Sequence, residues 1–242
     1  MPRFFVDKTD ISATEILLRD TAHLKARRLR AGDELTVCDG DGTDFSVRLI
    51  DIEKDSARAE ILSRAPSRTE ADVELAVFLA FSKGERAEFA IQKCTELGAS
   101  AFFLFPSERV VAMPDGKSLA NRLARLGNIA RSAAEQSERG RIPTVSACTS
   151  FAAATAQAAT AALPLLCYEN EEKTSLRDIF ATSPAPPSIS IMTGAEGGFS
   201  PAEAAYAVEN GLRSVTLGAR ILRCDTAPIA TTAAIMLLTG NL

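Results

Sequence analysis

The sequence has few of the residues that hold metal sites and disulfide-stabilised domains together. Its five cysteines lie far apart, at positions 38, 94, 148, 167 and 224, and none of them has the CxxC spacing. A single histidine, His23, is available to help bind a metal. These shortages argue against a structural zinc site and against a disulfide framework. We therefore expect no metal.

Long apolar runs are also missing. No stretch is long enough for a membrane span, and the start of the chain, residues 1–5, lacks the basic region and apolar stretch of a signal peptide. We expect a cytoplasmic protein with no membrane partner. The 242 residues, 46% of them apolar, are enough to bury one large core or two unequal ones.

The chain has no excess of positive charge. Its formal net charge is −4, which argues against a protein that is basic all over. Two local basic patches nevertheless occur, in residues 19–30 and 117–141. Either patch alone is typical of a solvated helix face, but two patches in one acidic chain favour a polyanionic partner.

The first 65 residues read as β-rich. Short alternating runs predict strands over 34–38, 44–52 and 57–62, separated by turn residues. This pattern predicts a small barrel or sheet domain. It includes a short basic helix within 23–33 that ends at Gly32, and a polar linker over 63–70 closes it.

From Val73 onward, apolar strands alternate with helical stretches, which predicts βα units and a mostly parallel sheet. The alanine-rich residues 147–163 predict a surface helix, residues 183–187 a stiff connector, and residues 227–238 a helix buried on several faces, where a homodimer contact is economical. The remaining elements are predicted as strands over 73–81, 101–105 and 164–168 and helices over 85–97 and 118–138.

Two glycine-bearing loops, residues 193–200 and 217–227, are the most informative feature. Each follows a short β-branched run and precedes a helical segment, so both should lie at the strand ends of the sheet, where α/β folds bind ligands. After the first loop, Ser200, Pro201 and Glu203 form a predicted capping box. Because a side chain then occupies the helix N-terminus, phosphate is disfavoured, whereas the adenine, ribose and sulfonium of S-adenosylmethionine meet no such conflict.

The second loop adds apolar and basic residues to the same edge. Gly218 permits close backbone approach, and Ile221 and Leu222 are placed to sandwich an aromatic base. Arg220 and Arg223 bring positive charge. The alternative for these arginines is a surface ion pair with Glu196 or Asp225.

The chain resembles the ribosomal small-subunit methyltransferase E family, which methylates N3 of a uridine in 16S rRNA and belongs to the SPOUT superfamily. In the N-terminal part the similarity rests on residues 2–5, 23–33 and 39–40. In the rest of the chain it rests on these residues: Lys83, 92–98, Arg109, 135–137, Arg139, Pro143, 194–200, Glu203, 217–218, 220–223 and 226–228. Ala195 stands where the family usually has proline, and Asp225 where it has glutamate.

The resemblance implies an α/β protein. A small β-barrel PUA-like RNA-binding domain (1–68) would precede a SPOUT methyltransferase domain (69–242), whose parallel sheet ends in a C-terminal trefoil knot that holds the cofactor. It also implies a homodimer that acts on 16S rRNA or the small ribosomal subunit. A non-catalytic RNA-binding assembly factor on the same fold is one alternative. A nucleotide-dependent oxidoreductase is another, although the glycine spacing and the helix cap argue against it.

The resemblance also implies roles for particular residues. Arg223 is expected to stabilise the uracil anion, and Glu196 and Asp225 are candidates for accepting the N3 proton. S-adenosylmethionine is expected to bind these residues: Thr193, Gly194, Glu196, Gly197, Gly198, Leu217, Gly218, Ile221, Leu222 and Thr226. RNA is expected to bind these: Arg3, His23, Lys25, Arg27, Arg28, Arg30, Lys83, Lys93, Arg109 and Arg139.

Overall fold

The computed structural model describes residues 3–110, 116–182 and 186–242. Pro2 of the resemblance and residues 183–185 of the predicted connector lie outside these ranges. The chain forms two compact units, one of residues 1–70 with 134–142 and one of residues 71–133 with 143–242. The boundary after residue 68 stays a prediction. Residues 134–142, expected in the second domain, belong to the first unit.

The first unit contains a five-stranded sheet in the order β1-β3-β4-β5-β2. Its elements are β1 (Arg3–Phe5), a 3-10 turn (Lys8–Asp10), β2 (Glu15–Leu18), α1 (Thr21–Ala26), β3 (Glu34–Cys38), β4 (Thr43–Ile52) and β5 (Ala57–Pro66). Register shifts within the β4–β5 pair let the sheet curl around a buried apolar core. The predicted small barrel or sheet is this curled sheet, with β1 and β2 at its edges.

Two predictions in this unit are wrong in detail. The basic helix spans 21–26 rather than 23–33, because Asp20 caps its start and Arg28, at φ +58°, leaves the helical region before Gly32 is reached. The predicted linker over 63–70 is strand as far as Pro66, because β4 offers it a partner along its whole length. Strand β2 was not predicted.

The second unit contains a six-stranded, all-parallel sheet in the order β11-β9-β10-β6-β7-β8. Its strands are β6 (Glu74–Ala80), β7 (Ala101–Phe105), β8 (Thr144–Ala147), β9 (Leu163–Cys167), β10 (Ser188–Thr193) and β11 (Arg213–Val215). Its helices are α2 (Arg86–Glu96), α3 (Gly116–Gln136), α4 (Phe151–Ala158), α5 (Leu176–Thr182), α6 (Pro201–Glu209) and α7 (Thr226–Leu238). The predicted parallel α/β sheet is therefore confirmed.

Helices cover the sheet through apolar stripes. In α2 the buried positions Ala87, Ala90, Ile91 and Cys94 recur at spacings of three and four, which gives one face to the core. Strand β10 is buried almost throughout and lies near the middle of the sheet. The loop that follows β10 therefore starts from a fixed point.

The predicted alanine-rich helix over 147–163 is wrong at both ends. Residues 144–147 form β8, helix α4 begins only after Ser150, whose side chain accepts a hydrogen bond from the Ala153 amide, and β9 begins at Leu163. Strand residues 147 and 163 and the short connections 148–150 and 159–162 stand where helix was predicted. Among the described residues, none of the helices is long and apolar enough for a membrane crossing.

Candidate cofactor site and RNA-contact residues

The two glycine loops meet at one cavity. Strands β10 and β11 flank β9 in the sheet, so the carboxyl ends of all three lie side by side. The loops after β10 and β11 line a cavity of about 940 Å³, together with Cys167 at the end of β9 and with Tyr168, Glu169, Glu171 and Glu172 after it. This volume lies within the roughly 300–1,000 Å³ that small-molecule sites occupy.

The first loop turns tightly and then starts α6. The Gly198 amide donates to the Ala195 carbonyl (3.0 Å), and Gly198 has φ +65°, which favours glycine. The predicted capping box is confirmed, because Ser200 accepts from the Glu203 amide and the Glu203 carboxylate accepts from the Ser200 amide. The N-terminus of α6 is thus already satisfied by side chains.

Glu196 is held in the first loop by two partners that follow β6. Its carboxylate accepts hydrogen bonds from the Lys83 amide (3.1 Å) and from the Arg86 guanidinium. Partial burial raises the pKa of Glu196. These bonds and one from its own amide lower the pKa by more than burial raises it, so the pKa of Glu196 lies below its ordinary value. Glu196 is ionised at neutral pH.

The second loop presents its glycine and both arginines to the cavity. Gly218 has φ +102°, and no atom lies near the position that a Cβ atom would occupy. The backbone at Gly218 is therefore open to the cavity. Leu217 and Leu222 are partly buried, whereas Ile221 is 86% exposed. Arg220 and Arg223 are exposed, and their side chains make no hydrogen bond or ion pair with any residue in the described ranges.

Asp225 and Thr226 lie at the start of α7 and are not among the cavity-lining residues. The Asp225 carboxylate accepts from the Thr226 amide (3.0 Å) and caps the helix. The other nine predicted cofactor residues, which include Glu196, line the cavity, as does Arg223. Arg223 is not paired with Glu196 or Asp225.

Several cavity residues were not predicted. Arg86 lies in the first turn of α2, and Tyr168, Glu169, Glu171 and Glu172 follow β9. The acidic run directly after a predicted strand was a usable signal for the glutamates. Arg86 had no such signal, because its partner Glu196 is distant in sequence.

The predicted RNA-contact residues divide by exposure. Lys25, Arg27, Arg28 and Arg30 are exposed on and after α1, and the Arg27 Nε donates to the Nε2 of half-buried His23 (3.2 Å). In the other unit the Lys83 and Arg109 side chains are exposed, and Lys93, partly buried, pairs with Glu96 (2.8 Å).

Arg3 and Arg139 are buried instead. The Arg3 side chain is 9% exposed and pairs with Asp44 (2.7 Å), and that of Arg139 is 4% exposed and pairs with Glu70 (2.6 Å). Both guanidinium groups thus neutralise carboxylates within the first unit, which is a structural use. Within the described part of the chain, no three His, Cys, Asp or Glu side chains are grouped to hold a metal ion.

Family models match both parts of the chain. A model described as RNA methyltransferase domain matches residues 69–236, and one described as RNA methyltransferase PUA domain matches residues 19–62. The chain therefore belongs to the class of RNA methyltransferases that have a PUA domain.

Relatives narrow the class further. The chain is 35% identical to ribosomal RNA small subunit methyltransferase E of Synechocystis sp. over 221 residues, which are 90% of this chain and 71% of that protein. It is 30% identical to the protein of the same name from Bacillus subtilis over 245 residues, which are 97% and 96% of the two chains. The crystal structure of ribosomal RNA small subunit methyltransferase E from Neisseria gonorrhoeae bound to S-adenosyl methionine has 34% identity and a TM-score of 0.85, covering 98% of each chain. The chain belongs to the ribosomal RNA small subunit methyltransferase E family, which confirms the resemblance.

Proposed function

We propose that this protein transfers a methyl group from S-adenosylmethionine to N3 of a uridine in 16S rRNA of the small ribosomal subunit. The observation that carries the proposal is the cavity lined by both glycine loops at the ends of β9, β10 and β11. Family membership supports the activity, and the relative from Neisseria gonorrhoeae, bound to S-adenosyl methionine, supports the cofactor.

The cavity suits this cofactor chemically. Glu169, Glu171 and Glu172 on its rim are complementary to a ligand with an ammonium and a sulfonium group, and the capped α6 offers no free N-terminus for a phosphate. We propose that the nine cavity-lining residues predicted for the cofactor hold it, and that Thr226 acts only by starting α7. When bound, S-adenosylmethionine supplies a methyl group already activated by the sulfonium leaving group.

Arg223 is the proposed electrostatic catalyst. Uracil N3 must lose its proton to become a nucleophile, and negative charge then develops on O2 and O4. Arg223 is free to donate to one of these oxygens, whereas Arg86 already donates to Glu196. Its guanidinium would stabilise the anion by a charge-assisted hydrogen bond.

We propose that Glu196 and Asp225, the two candidates for proton acceptor, act on the loops instead. Glu196 has a lowered pKa and accepts from Arg86 and from the Lys83 amide, and Asp225 caps α7. A carboxylate stabilised in its ionised form is a weak base. The N3 proton would then leave to water at the cavity mouth, aided by Arg223.

For RNA binding we propose the exposed basic residues of both units. Lys25, Arg27, Arg28 and Arg30 would bind phosphates and fix the register of the RNA. His23 would orient Arg27. From the second unit, the exposed Lys83 would contribute, together with the partly buried Lys93, which pairs with Glu96. Arg3 and Arg139 are left out of this set because they are buried.

Three further properties are part of the proposal. The chain between the two loops passes through a trefoil knot, as the SPOUT resemblance implies. Two copies associate through the end of α7, where Leu237 is 64% and Leu238 is 42% exposed. The protein acts in the cytoplasm, where its substrate is found.

Product analysis tests the proposal. Small subunits that lack the modification are incubated with the protein and methyl-labelled S-adenosylmethionine, and the rRNA is digested to nucleosides. We expect the label in N3-methyluridine. Label in another nucleoside would overturn the N3 assignment. Absence of both label and cofactor binding in calorimetry would favour the non-catalytic assembly factor.

A further inference from the structure

The first glycine loop is fixed by residues that follow three other strands of the sheet. After β9, the Glu169 carboxylate accepts from the Phe199 amide (3.2 Å). After β6, Arg86 and the Lys83 amide donate to Glu196. After β7, the segment with Glu108 and Arg109 makes two bonds, one to the turn and one to α6.

One of these bonds reaches the start of α6, and the other reaches the turn. The Glu108 amide donates to the Glu203 carboxylate (2.8 Å), which also belongs to the capping box. The Arg109 Nη1 donates to the Gly197 carbonyl (2.7 Å). One short segment therefore holds both the turn and the start of α6.

Arg109 acts on a single peptide unit, that between Gly197 and Gly198. The carbonyl of this unit accepts from Arg109, and its amide donates to the Ala195 carbonyl (3.0 Å). Because the peptide is planar, bonds at both ends fix its orientation. The bond from Arg109 is charge-assisted and so belongs to the stronger class of hydrogen bonds.

The Arg109 side chain also packs across Gly197. A Cβ atom on Gly197 would lie 3.1 Å from the Arg109 Cβ and 3.3 Å from its Cδ. Glycine at this position thus lets the arginine approach the backbone it binds. Through both the hydrogen bond and the packing, Arg109 contacts Gly197, which is part of the cavity wall.

We propose that Arg109 is a positioning residue for the cofactor loop. It holds the 197–198 peptide in the orientation that the cofactor needs, and this replaces the RNA contact predicted from the sequence. The inference rests on the proposed use of S-adenosylmethionine. It assigns Arg109 an effect on cofactor affinity that is present without RNA.

The test is S-adenosylmethionine affinity measured by calorimetry in the absence of RNA. We expect Arg109→Ala to weaken binding about tenfold or more, as for loss of a hydrogen bond to a charged group, and Arg109→Lys to recover part of the loss. Arg125→Ala is the matched control, because Arg125 is also an exposed arginine of the second unit but pairs with Glu88 (2.8 Å), and it should bind normally. In steady-state assays of Arg109→Ala, the KM for the cofactor should rise while the KM for RNA stays unchanged.

A double-mutant cycle with Gly197→Ala adds a second readout. Alone, Gly197→Ala should weaken binding because the new methyl group meets Arg109, and in the Arg109→Ala background it should cost less. Thermal unfolding checks that each variant is folded. If Arg109→Ala does not fold, the cofactor affinities of the Arg109→Lys and Gly197→Ala proteins test the inference. Wild-type cofactor affinity in these variants, with RNA binding lost, would overturn the inference. Failure of the wild-type protein to bind the cofactor would instead overturn the proposed function.

Discussion

Arg86 donates a hydrogen bond to the carboxylate of Glu196, although 110 residues separate the two along the chain. The pair joins the start of α2 to the turn after β10 at the cavity wall. Our proposal therefore assigns Glu196 to holding the loop, rather than to accepting the N3 proton. Weakening the pair of Arg86 and Glu196 should therefore lower cofactor affinity and change the dependence of that affinity on pH.

Glu196→Gln should weaken S-adenosylmethionine binding several-fold at pH 7, because the amide cannot replace the charge facing Arg86. The pKa of Glu196 is lowered in the folded protein, so the contribution of the ion pair is complete above the pKa of an unperturbed glutamate, about 4.3. It is lost as the pH falls from there through the lowered pKa. Calorimetry from pH 7 down to about pH 3 covers this range and checks the prediction.

The Glu196→Gln protein is the comparison for this titration. Wild-type affinity should fall at the acid end, and the Glu196→Gln protein should show a flatter profile. Methyl-transfer rates measured over the same pH range give the contrary result to look for: if the variant keeps full affinity but loses the acid limb of the pH–rate profile, Glu196 is a proton acceptor after all.

RNA binding should depend on the exposed arginines after α1. The double variant Arg27→Ala/Arg28→Ala should bind rRNA more weakly and should reduce the slope of log affinity against log salt by roughly 1.5. Filter binding at several salt concentrations measures both. Arg48→Ala/Arg58→Ala is the control, because these exposed arginines are already paired with Glu34 and Asp51. An unchanged slope in the first variant would remove α1 from the RNA surface.

The buried pair of Arg139 and Glu70 should contribute to stability rather than to RNA binding. The Glu70 carboxylate also accepts from the amides of Gly140 (2.8 Å) and Arg141 (3.0 Å). Glu70→Ala removes the carboxylate that the buried Arg139 guanidinium and two backbone amides share, so the free energy of unfolding should fall by about 3 kcal/mol. Urea denaturation measures this. The exposed pair of Glu34 and Arg48 is the control, and Glu34→Ala should cost less than about 1 kcal/mol.

Cysteine reactivity reports on the cavity. All five cysteines are free, and burial raises the pKa of Cys94 to about 12 and that of Cys167 to about 11. The partly exposed Cys148 and Cys224 should react first with iodoacetamide. S-adenosylmethionine should protect Cys224, which lines the cavity, and leave Cys148 unprotected. Peptide mapping by mass spectrometry reads both sites, and equal labelling of Cys224 with and without cofactor would contradict the assigned site.

The sequence predicted features that are local. The capping box at Ser200 and Glu203 spans four residues, so its chemistry is visible in the sequence alone. The alternation of apolar runs and helices predicted the parallel sheet for the same reason. Alanine content misled over 147–163, because helix propensity says nothing about the neighbouring strands that paired with 144–147 and 163–167.

Features made by distant residues were missed. Arg86 pairs with Glu196 and Arg139 with Glu70, and each pair requires the fold before its partners meet. Exposure is also a property of the folded chain. This is why Arg3 and Arg139 were predicted as RNA-contact residues, although folding buries both.

The central claim is methylation of uracil N3 with the help of Arg223, and primer extension tests it most directly. Small subunits that lack the modification are incubated with S-adenosylmethionine and either wild-type protein or Arg223→Ala, and reverse-transcription stops are mapped along 16S rRNA. N3 methylation blocks base pairing. We predict one new stop, at the nucleotide immediately 3′ of a uridine, with the wild-type protein, and a rate at least about a hundredfold lower with the variant. No stop, stops at other bases, or a stop formed equally fast by Arg223→Ala would contradict the account.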